Sequence, residues 1–334
     1  MRSAPRVFSI PPGAPFLPTL AEALLSGRLV PGFRFDGDPL ALADVTIYVP
    51  TRRAARALRT EFMELMGGRA AILPTVRPLG EFDEDEALFE TDVQENAAAL
   101  DLAPPIAPTE RLLLLAVLVR AWKQRLPAEV AARFAEEIMV PASAADAIWL
   151  ARDLADLMDE VETEGSDWAK LADLVTGNLA GWWQVTLDFL GIASQHWPLI
   201  LAERDRSNPA AHRSALIRFE TERLQRKPPA GPVIAAGSTG SIPATAELLK
   251  IISRLPNGAV VLPGFDAALD AASLAAISAP EARPALLGHP QYGLVRLAGK
   301  IGVARDKIAP LGVPSPALGL RNRIVSEALR PADT

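Results

Sequence analysis

One predicted helix opens with four arginines: Arg52, Arg53, Arg56 and Arg59. At about 100° per residue, the first, third and fourth share one face, with the second beside them. Thr51 is the expected N-cap, and the N–H groups of a helix N-terminus also favour anions. We therefore predict contact with a nucleic-acid backbone through Thr51, Arg52, Arg53 and Arg56. The alternative is a solvated basic face that pairs with Glu61 and Glu64 or with other acids.

A second stretch, Ile10–Thr19 (IPPGAPFLPT), lies where a phosphate-binding loop would join a first strand to a first helix. Such a loop needs backbone N–H donors, a lysine and a Ser or Thr for magnesium. Prolines at 11, 12 and 15 remove donors, and the stretch contains no lysine. Pro11, Pro12, Gly13 and Pro15 therefore form a degenerate nucleotide loop, and we expect no ATP hydrolysis there.

A third stretch follows the apolar run Val233–Ala236, where a P-loop NTPase would carry its magnesium-binding Asp. The loop consists of Gly237, Ser238, Thr239, Gly240 and Ser241, and the first carboxylate after it is Glu247. Its backbone N–H groups could hold an anion. The alternative is a structural turn.

Other chemistries find little support. The acidic residues between Glu81 and Glu95 have no histidine among them and fit a solvated segment, and the chain has no cysteine. The three histidines, at 196, 212 and 289, are too far apart to show metal-ligand spacing. Ser238 lacks the G-x-S-x-G context of a hydrolase. Trp182-Trp183 could stack on bases, but core packing is the alternative. We predict no catalytic residue, no metal and no cofactor.

The predicted elements place these stretches at the ends of strands. Strands are expected at Val7–Ile10, Val45–Val49, 70–73, 233–236 and 259–262. Helices are expected at 14–26, from Arg52 to a stop at Gly67-Gly68, and after 233–236 with Ser241 as N-cap. Buried strands that alternate with helices predict a parallel sheet, and ligands bind beyond the carboxyl ends of such strands.

Between Pro108 and Arg226 the pattern predicts only helices, at 109–125, 128–138, 142–163, 167–177, 183–204 and 209–226. The simplest architecture is one α/β domain, formed by residues 1–80 and 230–300, with a helical domain inserted at 81–229. Residues 301–334 would begin a further region. They end in a helix at 321–329 with nothing obvious to pack on, so the chain looks truncated.

The net charge of -6 argues against a protein that binds nucleic acid with its whole surface, but it allows a local basic patch. We expect no membrane association, because the longest apolar stretch, Leu112–Val119, is far shorter than the ~20 residues of a spanning helix. Five prolines between residues 5 and 18 interrupt any signal-peptide core, so a cytoplasmic location is expected.

Seven stretches together resemble the N-terminal part of the AddB family, whose members are the second subunits of AddAB helicase–nucleases. These stretches are FSIPPGAPFLPTLAEALL (8–25), DPLALADVTIYVPTRRAARALR (38–59), RPLGEFDEDE (77–86), GPVIAAGSTGSIPATAELL (231–249), AVVLPGFD (259–266), HPQYGL (289–294) and SEALRP (326–331). The resemblance spans essentially the whole sequence. It implies a superfamily 1 helicase-like, degenerate P-loop NTPase-like fold, in which an all-helical 1B domain is inserted into domain 1A.

In that family, AddB works with the AddA motor subunit on broken double-stranded DNA during homologous recombination. Its inactivated helicase part is associated with reading a hotspot on the single strand. The family's nucleotide motif maps to Pro11–Thr19, and its Ia-type motif, which touches the strand in true helicases, maps to Pro50–Arg53. Family chains are longer and carry a nuclease domain outside this stretch. Some also hold an iron–sulphur cluster, which the lack of cysteine puts in doubt.

The resemblance favours a non-catalytic DNA-binding and scaffold module for double-strand break repair. Two alternatives stay open. One is a residual nucleotide-binding module that uses the Gly237–Ser241 loop. The other is a purely structural bridge to the AddA-type subunit.

Overall fold

The computed structural model describes residues 4–79, 102–125, 143–173, 180–279 and 284–332. The chain divides into two compact units. Unit 1 comprises residues 1–91 and 216–334, and unit 2 comprises residues 92–215.

In the described residues, unit 1 is built on a six-stranded parallel sheet of order β3-β2-β4-β5-β1-β6. The strands are β1 (Val7–Ile10), β2 (Thr46–Val49), β3 (Thr75–Pro78), β4 (Val233–Ala236), β5 (Gly258–Pro263) and β6 (Ala309–Pro310). The chain is thus an α/β protein, as predicted, and its sheet is consistent with a P-loop-like α/β fold. Because β6 pairs with β1, the sheet continues past residue 300, where the sequence suggested a boundary.

The described helices, in chain order, are α1 (Phe16–Leu25), α2 (Arg52–Met66), α3 (Pro108–Arg125), α4 (Ala144–Glu164), α5 (Ala180–Gly191), α6 (Trp197–Glu203), α7 (Pro209–Arg226), α8 (Pro243–Arg254), α9 (Ala271–Ser278), α10 (Pro284–Leu287), α11 (Tyr292–Ile301) and α12 (Pro316–Ala328). A π turn at Ile192–His196 separates α5 from α6. Short 3-10 turns occur at Trp168–Asp173 and Arg305–Lys307. No helix in the described ranges is long and apolar enough to cross a membrane.

Helices cover both faces of the sheet. Ile47 and Val49 belong to a core formed with α1 and α2, whereas Tyr48, between them in sequence, belongs to the core under α8 and α11. Side chains alternate between faces along a strand, so a strand buried on both faces is apolar throughout. This is why β4 and β5 read as continuous apolar runs with almost no exposed residue.

Unit 2 is helical where it is described, apart from an isolated parallel bridge between Pro105 and Ser207. Its core lies between α3 and α4 and includes Leu115, Leu154 and Trp197. The helices predicted at 109–125, 142–163 and 209–226 are confirmed to within two residues at each end. The one predicted at 183–204 is divided into α5, the π turn and α6, and the one predicted at 128–138 lies outside the described residues.

Three predicted elements were wrong in detail. The third strand is β3, not 70–73, because Ile72 N donates to Pro39 O, so that segment pairs with the loop before β2. α8 has no side-chain cap from Ser241, since its N-cap is Ile242, and Pro243 sets the first turn through its fixed φ. The final helix begins five residues earlier than predicted and does have a packing partner in the loop after β1.

Candidate nucleic-acid interface at the carboxyl edge of the sheet

A topological switch point lies between β2 and β4, which are neighbours in the sheet. After β2 the chain turns to the face covered by α2, and after β4 it turns to the face covered by α8. Where neighbouring parallel strands send their connections to opposite faces, the loops part and leave a crevice that commonly binds ligands. The two loops meet at this switch point, since a Cβ placed on Gly237 would lie 3.5 Å from Pro50 Cδ and 3.4 Å from Phe16 Cε1.

Thr51 starts α2 as predicted. Its backbone is extended (φ -140°, ψ 157°), and its side chain accepts a hydrogen bond of 3.2 Å from Ala54 N. At the other end Gly67 adopts the left-handed conformation (φ 57°) and closes the helix. Ala55, Leu58, Phe62 and Met66 hold the helix on the sheet. The first turn of α2 therefore has a defined position beside the crevice.

The structure separates the four arginines into two groups. Arg52, Arg53 and Arg56 are exposed at the start of α2. Arg59 instead donates from Nη2 to Val76 O at 3.2 Å, which ties α2 to β3. Arg59 is also exposed, but its guanidinium is engaged by β3, so we exclude it from the binding face.

The predicted alternative for this face was a solvated basic surface that pairs with Glu61 and Glu64 or with other acids. Among the described residues, no ion pair joins Arg53 or Arg56 to Glu61 or Glu64. Within the part of the chain that the structure describes, the exposed guanidinium groups of Arg53 and Arg56 therefore have no acidic partner. The acidic run Glu81–Glu95, another source of partners, lies outside the described residues.

The loop Gly237–Ser241 uses several of its polar groups internally. Gly237 N donates to Val261 O at 3.0 Å, and Gly240 N donates to Ser238 Oγ at 3.2 Å. Gly240 has φ 60°, and a Cβ there would lie 2.7 Å from Leu297 Cδ1. The loop is thus packed against α11, and two N–H groups that an anion would need are already satisfied. Thr239 and Ser241 remain exposed.

The degenerate nucleotide loop is covered by the chain's own α12. Asn322 Nδ2 donates to Pro12 O at 2.7 Å, and a Cβ on Gly13 would lie 2.9 Å from Leu318 Cβ. On the other side Pro12 packs on Gly264, where a Cβ would lie 3.2 Å from Pro12 Cγ. Because of its prolines and of the packing of α12 and Gly264 on it, the loop after β1 has no site that could bind a phosphate.

A buried polar network lies directly beneath the crevice. The Glu220 carboxylate of α7 accepts bonds from Arg223 Nε at 2.7 Å and Nη2 at 2.8 Å, and Arg77 Nη1 lies 3.4 Å from Oε1. The hydroxyl of Tyr48, which is fully buried in β2, donates to the same carboxylate. The network thus links β2, β3 and α7. Its residue in β2, Tyr48, lies two positions before Pro50 in the chain.

Burial alone would raise the pKa of the Glu220 carboxyl, but hydrogen bonds and positive charge from Arg223, with help from Arg77 and Tyr48, hold that pKa below its ordinary value. Burial, followed by the negative charge of Glu220, raises the pKa of Tyr48. Glu220 is therefore ionised and Tyr48 neutral at physiological pH. This network was not predicted from the sequence, although a tyrosine inside an apolar strand and a Glu-Arg pair at i,i+3 spacing were visible signals.

Within the described ranges, no group of three or more His, Cys, Asp or Glu side chains is arranged to hold a metal ion. His212 is buried, with Nδ1 3.1 Å from Ala103 O, and His289 Nε2 donates to Leu329 O at 2.9 Å. The side chain of Trp182 lies outside the described set, and Trp183 is half-buried.

Comparison with known proteins does not assign the chain to a family. No protein-family model matches the chain, and no curated protein matches it.

Proposed function

We propose that this chain is a non-catalytic, helicase-derived module that holds the backbone of single-stranded DNA at the start of α2. The observation that carries the proposal is the exposed arginine group Arg52, Arg53 and Arg56 behind the Thr51 cap, at a switch-point crevice. Arginine binds phosphate well because its planar fork of N–H donors fits phosphate oxygens.

The neighbouring loops support a module without ATPase activity. The loop after β1 is blocked by prolines and covered by α12, and the loop after β4 carries no carboxylate. Neither offers the lysine or the magnesium ligand that phosphoryl transfer requires. A helicase-like domain that lost its motor chemistry while keeping a strand-binding helix fits this pattern.

The resemblance to AddB supplies the wider context of the proposal. The module would act in a helicase–nuclease that processes broken double-stranded DNA for homologous recombination, beside an AddA-type motor subunit. The strand would lie across Pro50–Arg53, the stretch that resembles the family's Ia-type motif.

Fluorescence anisotropy of a labelled single strand, titrated at several salt concentrations, tests strand binding. The variant R52A/R53A/R56A is compared with R28A/R34A/R226A, which removes three exposed arginines from segments that lead into β2 and β4 at the opposite edge of the sheet. Loss of three phosphate contacts should weaken binding and make the slope of log K against log salt shallower by about 2. The control variant should retain the wild-type slope.

The two alternatives predict different results. Binding that is indifferent to Arg52, Arg53 and Arg56, together with co-purification of the AddA-type subunit, would favour a structural bridge. A clear heat of binding for Mg-ATP in isothermal titration would favour a residual nucleotide site and contradict our interpretation of the proline-blocked loop.

A further inference from the structure

The start of α11 adjoins the loop after β4, at the same edge of the sheet as the arginine group of α2. A Cβ placed on Gly293 would lie 3.7 Å from Thr239 Cβ, and one placed on Gly240 would lie 2.7 Å from Leu297 Cδ1. On its other side the loop meets Pro50, just before α2. The loop after β4 therefore lies between the starts of α2 and α11, and the three segments are contiguous.

Tyr292, the first residue of α11, brings an aromatic ring and a cation together beside this loop. The guanidinium carbon of Arg296 lies 5.4 Å from the centre of the Tyr292 ring, and Arg296 Nη1 donates to the Tyr292 hydroxyl at 3.0 Å. Tyr292 is half-buried and Arg296 is exposed. Aromatic rings and arginine planes are the surfaces on which proteins that bind single strands stack unpaired bases.

The loop after β5 fixes the position of this pair. Gln291, directly before Tyr292, donates from Nε2 to Gly264 O at 3.0 Å and accepts from Asp266 N through Oε1 at 2.9 Å. Further along the helix, Leu294 is buried in the core under α8 and α11. Because the start of α11 is held in place before any ligand binds, a base that stacks on Tyr292 loses little affinity to the ordering of the protein.

The three contiguous segments carry positive charge alone. Residues 50–60, 237–242 and 292–301 contain no Asp or Glu, and their basic residues are Arg52, Arg53, Arg56, Arg59, Arg296 and Lys300. This local excess is opposite in sign to the net charge of -6 of the whole chain. Asp266, beside Gln291, uses its carboxylate to accept from Ala268 N at 2.9 Å. A positive surface with an aromatic platform suits a polyanion whose bases are unpaired, which is a single-stranded nucleic acid.

We propose that α11 supplies a second contact for the single strand, with one base stacked on the Tyr292 ring and the adjoining phosphate bound by Arg296. The strand would run from the arginine group of α2 across Thr239, which is exposed and offers a hydroxyl to the strand backbone. Stacking accepts any base, so this contact would hold the strand without reading its sequence. It rests on the proposed function and adds to it a base contact that phosphate binding at α2 does not provide.

Tyr292→Ala and an abasic strand together isolate the stacking contact. Fluorescence anisotropy measures the binding of the full chain to labelled oligothymidylate and to an abasic strand of the same length. Removal of the ring should weaken the binding of oligothymidylate about 5- to 140-fold, the range for loss of one stack between a base and an aromatic ring. The abasic strand has no base to stack, so it should bind wild type and Tyr292→Ala equally, which also shows that the variant is folded. Unchanged affinity for oligothymidylate, or an equal loss on both strands, would overturn the stacking contact.

Three other kinds of variant test the remaining parts of the contact. Tyr292→Phe keeps the ring and removes only the hydroxyl, so it should bind oligothymidylate like wild type, and a loss as large as that of Tyr292→Ala would refute stacking. Arg296→Ala should make the slope of log K against log salt shallower by about 0.7 on both strands, the value for one phosphate of a single strand. An unchanged slope would refute the phosphate contact. The matched controls are Trp149→Ala, at an aromatic side chain in unit 2 that is 62% exposed, and Arg28→Ala, at the opposite edge of the sheet, and both should keep wild-type affinity and slope.

The variant R52A/R53A/R56A distinguishes failure of the contact at α11 from failure of the proposed function. If that variant weakens binding while Tyr292→Ala and Arg296→Ala do not, the strand is held at α2 and the contact at α11 is refuted. If Tyr292→Ala and Arg296→Ala weaken binding while the α2 variant does not, the contact at α11 stands and the proposed site at α2 is wrong. A chain that does not bind oligothymidylate would overturn both.

Discussion

Replacing Glu220 by Gln tests whether the buried network of Glu220, Arg223, Arg77 and Tyr48 stabilises unit 1. The substitution keeps the shape of the side chain but removes the charge that pairs with Arg223 and Arg77, whose side chains are only 19% and 16% exposed. Breaking a buried ion pair costs about 3–5 kcal/mol. Because the Gln oxygen still accepts one bond and both arginines keep some contact with water, we expect a loss of about 2–4 kcal/mol in the stability of unit 1.

The assay must report on unit 1 itself. All six tryptophans lie between residues 122 and 197, inside unit 2, so tryptophan fluorescence does not follow the sheet. Hydrogen exchange of the amides in β2 and β4 does. A loss of 2–4 kcal/mol should accelerate exchange of their most protected amides about 30- to 900-fold. Tyr48→Phe, which removes only the hydroxyl, should cost about 1 kcal/mol and serves as the graded control.

The effect of Glu220→Gln must also depend on pH in one direction. The pKa of Glu220 is lower in the folded chain than in the unfolded chain. The ionised carboxylate therefore contributes fully to the free energy of unfolding above the ordinary glutamate pKa of about 4.3. That contribution disappears as the pH falls through the lower, folded pKa. The difference in unfolding free energy between wild type and variant should therefore be largest at pH 7 and should disappear at acid pH. A gap below about 1 kcal/mol at pH 7, or one that widens in acid, would refute the reasoning.

Three further predictions concern single positions in unit 1. Thr51→Ala removes the N-cap bond to Ala54 N and should cost about 1 kcal/mol in thermal or denaturant unfolding, whereas Thr51→Ser should restore most of it. Gly67→Ala forces a side chain into the left-handed region at φ 57° and should cost about 1 kcal/mol, and an unchanged melting temperature would contradict that. Asn322→Ala frees Pro12 O from α12, yet isothermal titration should detect no Mg-ATP binding, because the loop still lacks N–H donors and a lysine.

The parallel sheet was predictable because its strands carry local signals. Val45–Val49 and Val233–Ala236 are short apolar runs that end in turn residues, and buried parallel strands require such composition. β3 was misplaced because its position depends on pairing with β2, which the residues at 70–73 do not reveal. β6 has only two residues, and its pairing with β1 crosses some 300 residues of sequence, so no local pattern marks it.

The candidate site was predictable only in part. The capping role of Thr51 follows from the residue type before an apolar-periodic helix, and the structure confirms it. The separation of Arg59 from the other arginines depends on the carbonyl of Val76, a tertiary contact. The hydrogen bond from Asn322 to Pro12 O joins residues that are 310 positions apart in the sequence. Such a contact leaves no periodic signal in either segment.

The pairing of β1 sets a time scale for folding during synthesis. Val7 pairs with Val260, and the other partner of β1 begins at Ala309, so the first strand has no neighbour in the sheet until some 250 further residues exist. At a synthesis rate of about 5–20 residues per second, this wait lasts roughly 13–50 s. Over that interval the apolar residues of β1 and α1 must stay apart from other chains. We expect the emerging N-terminal segment to be a binding site for chaperones, and a chain that stops before β5 to aggregate through it.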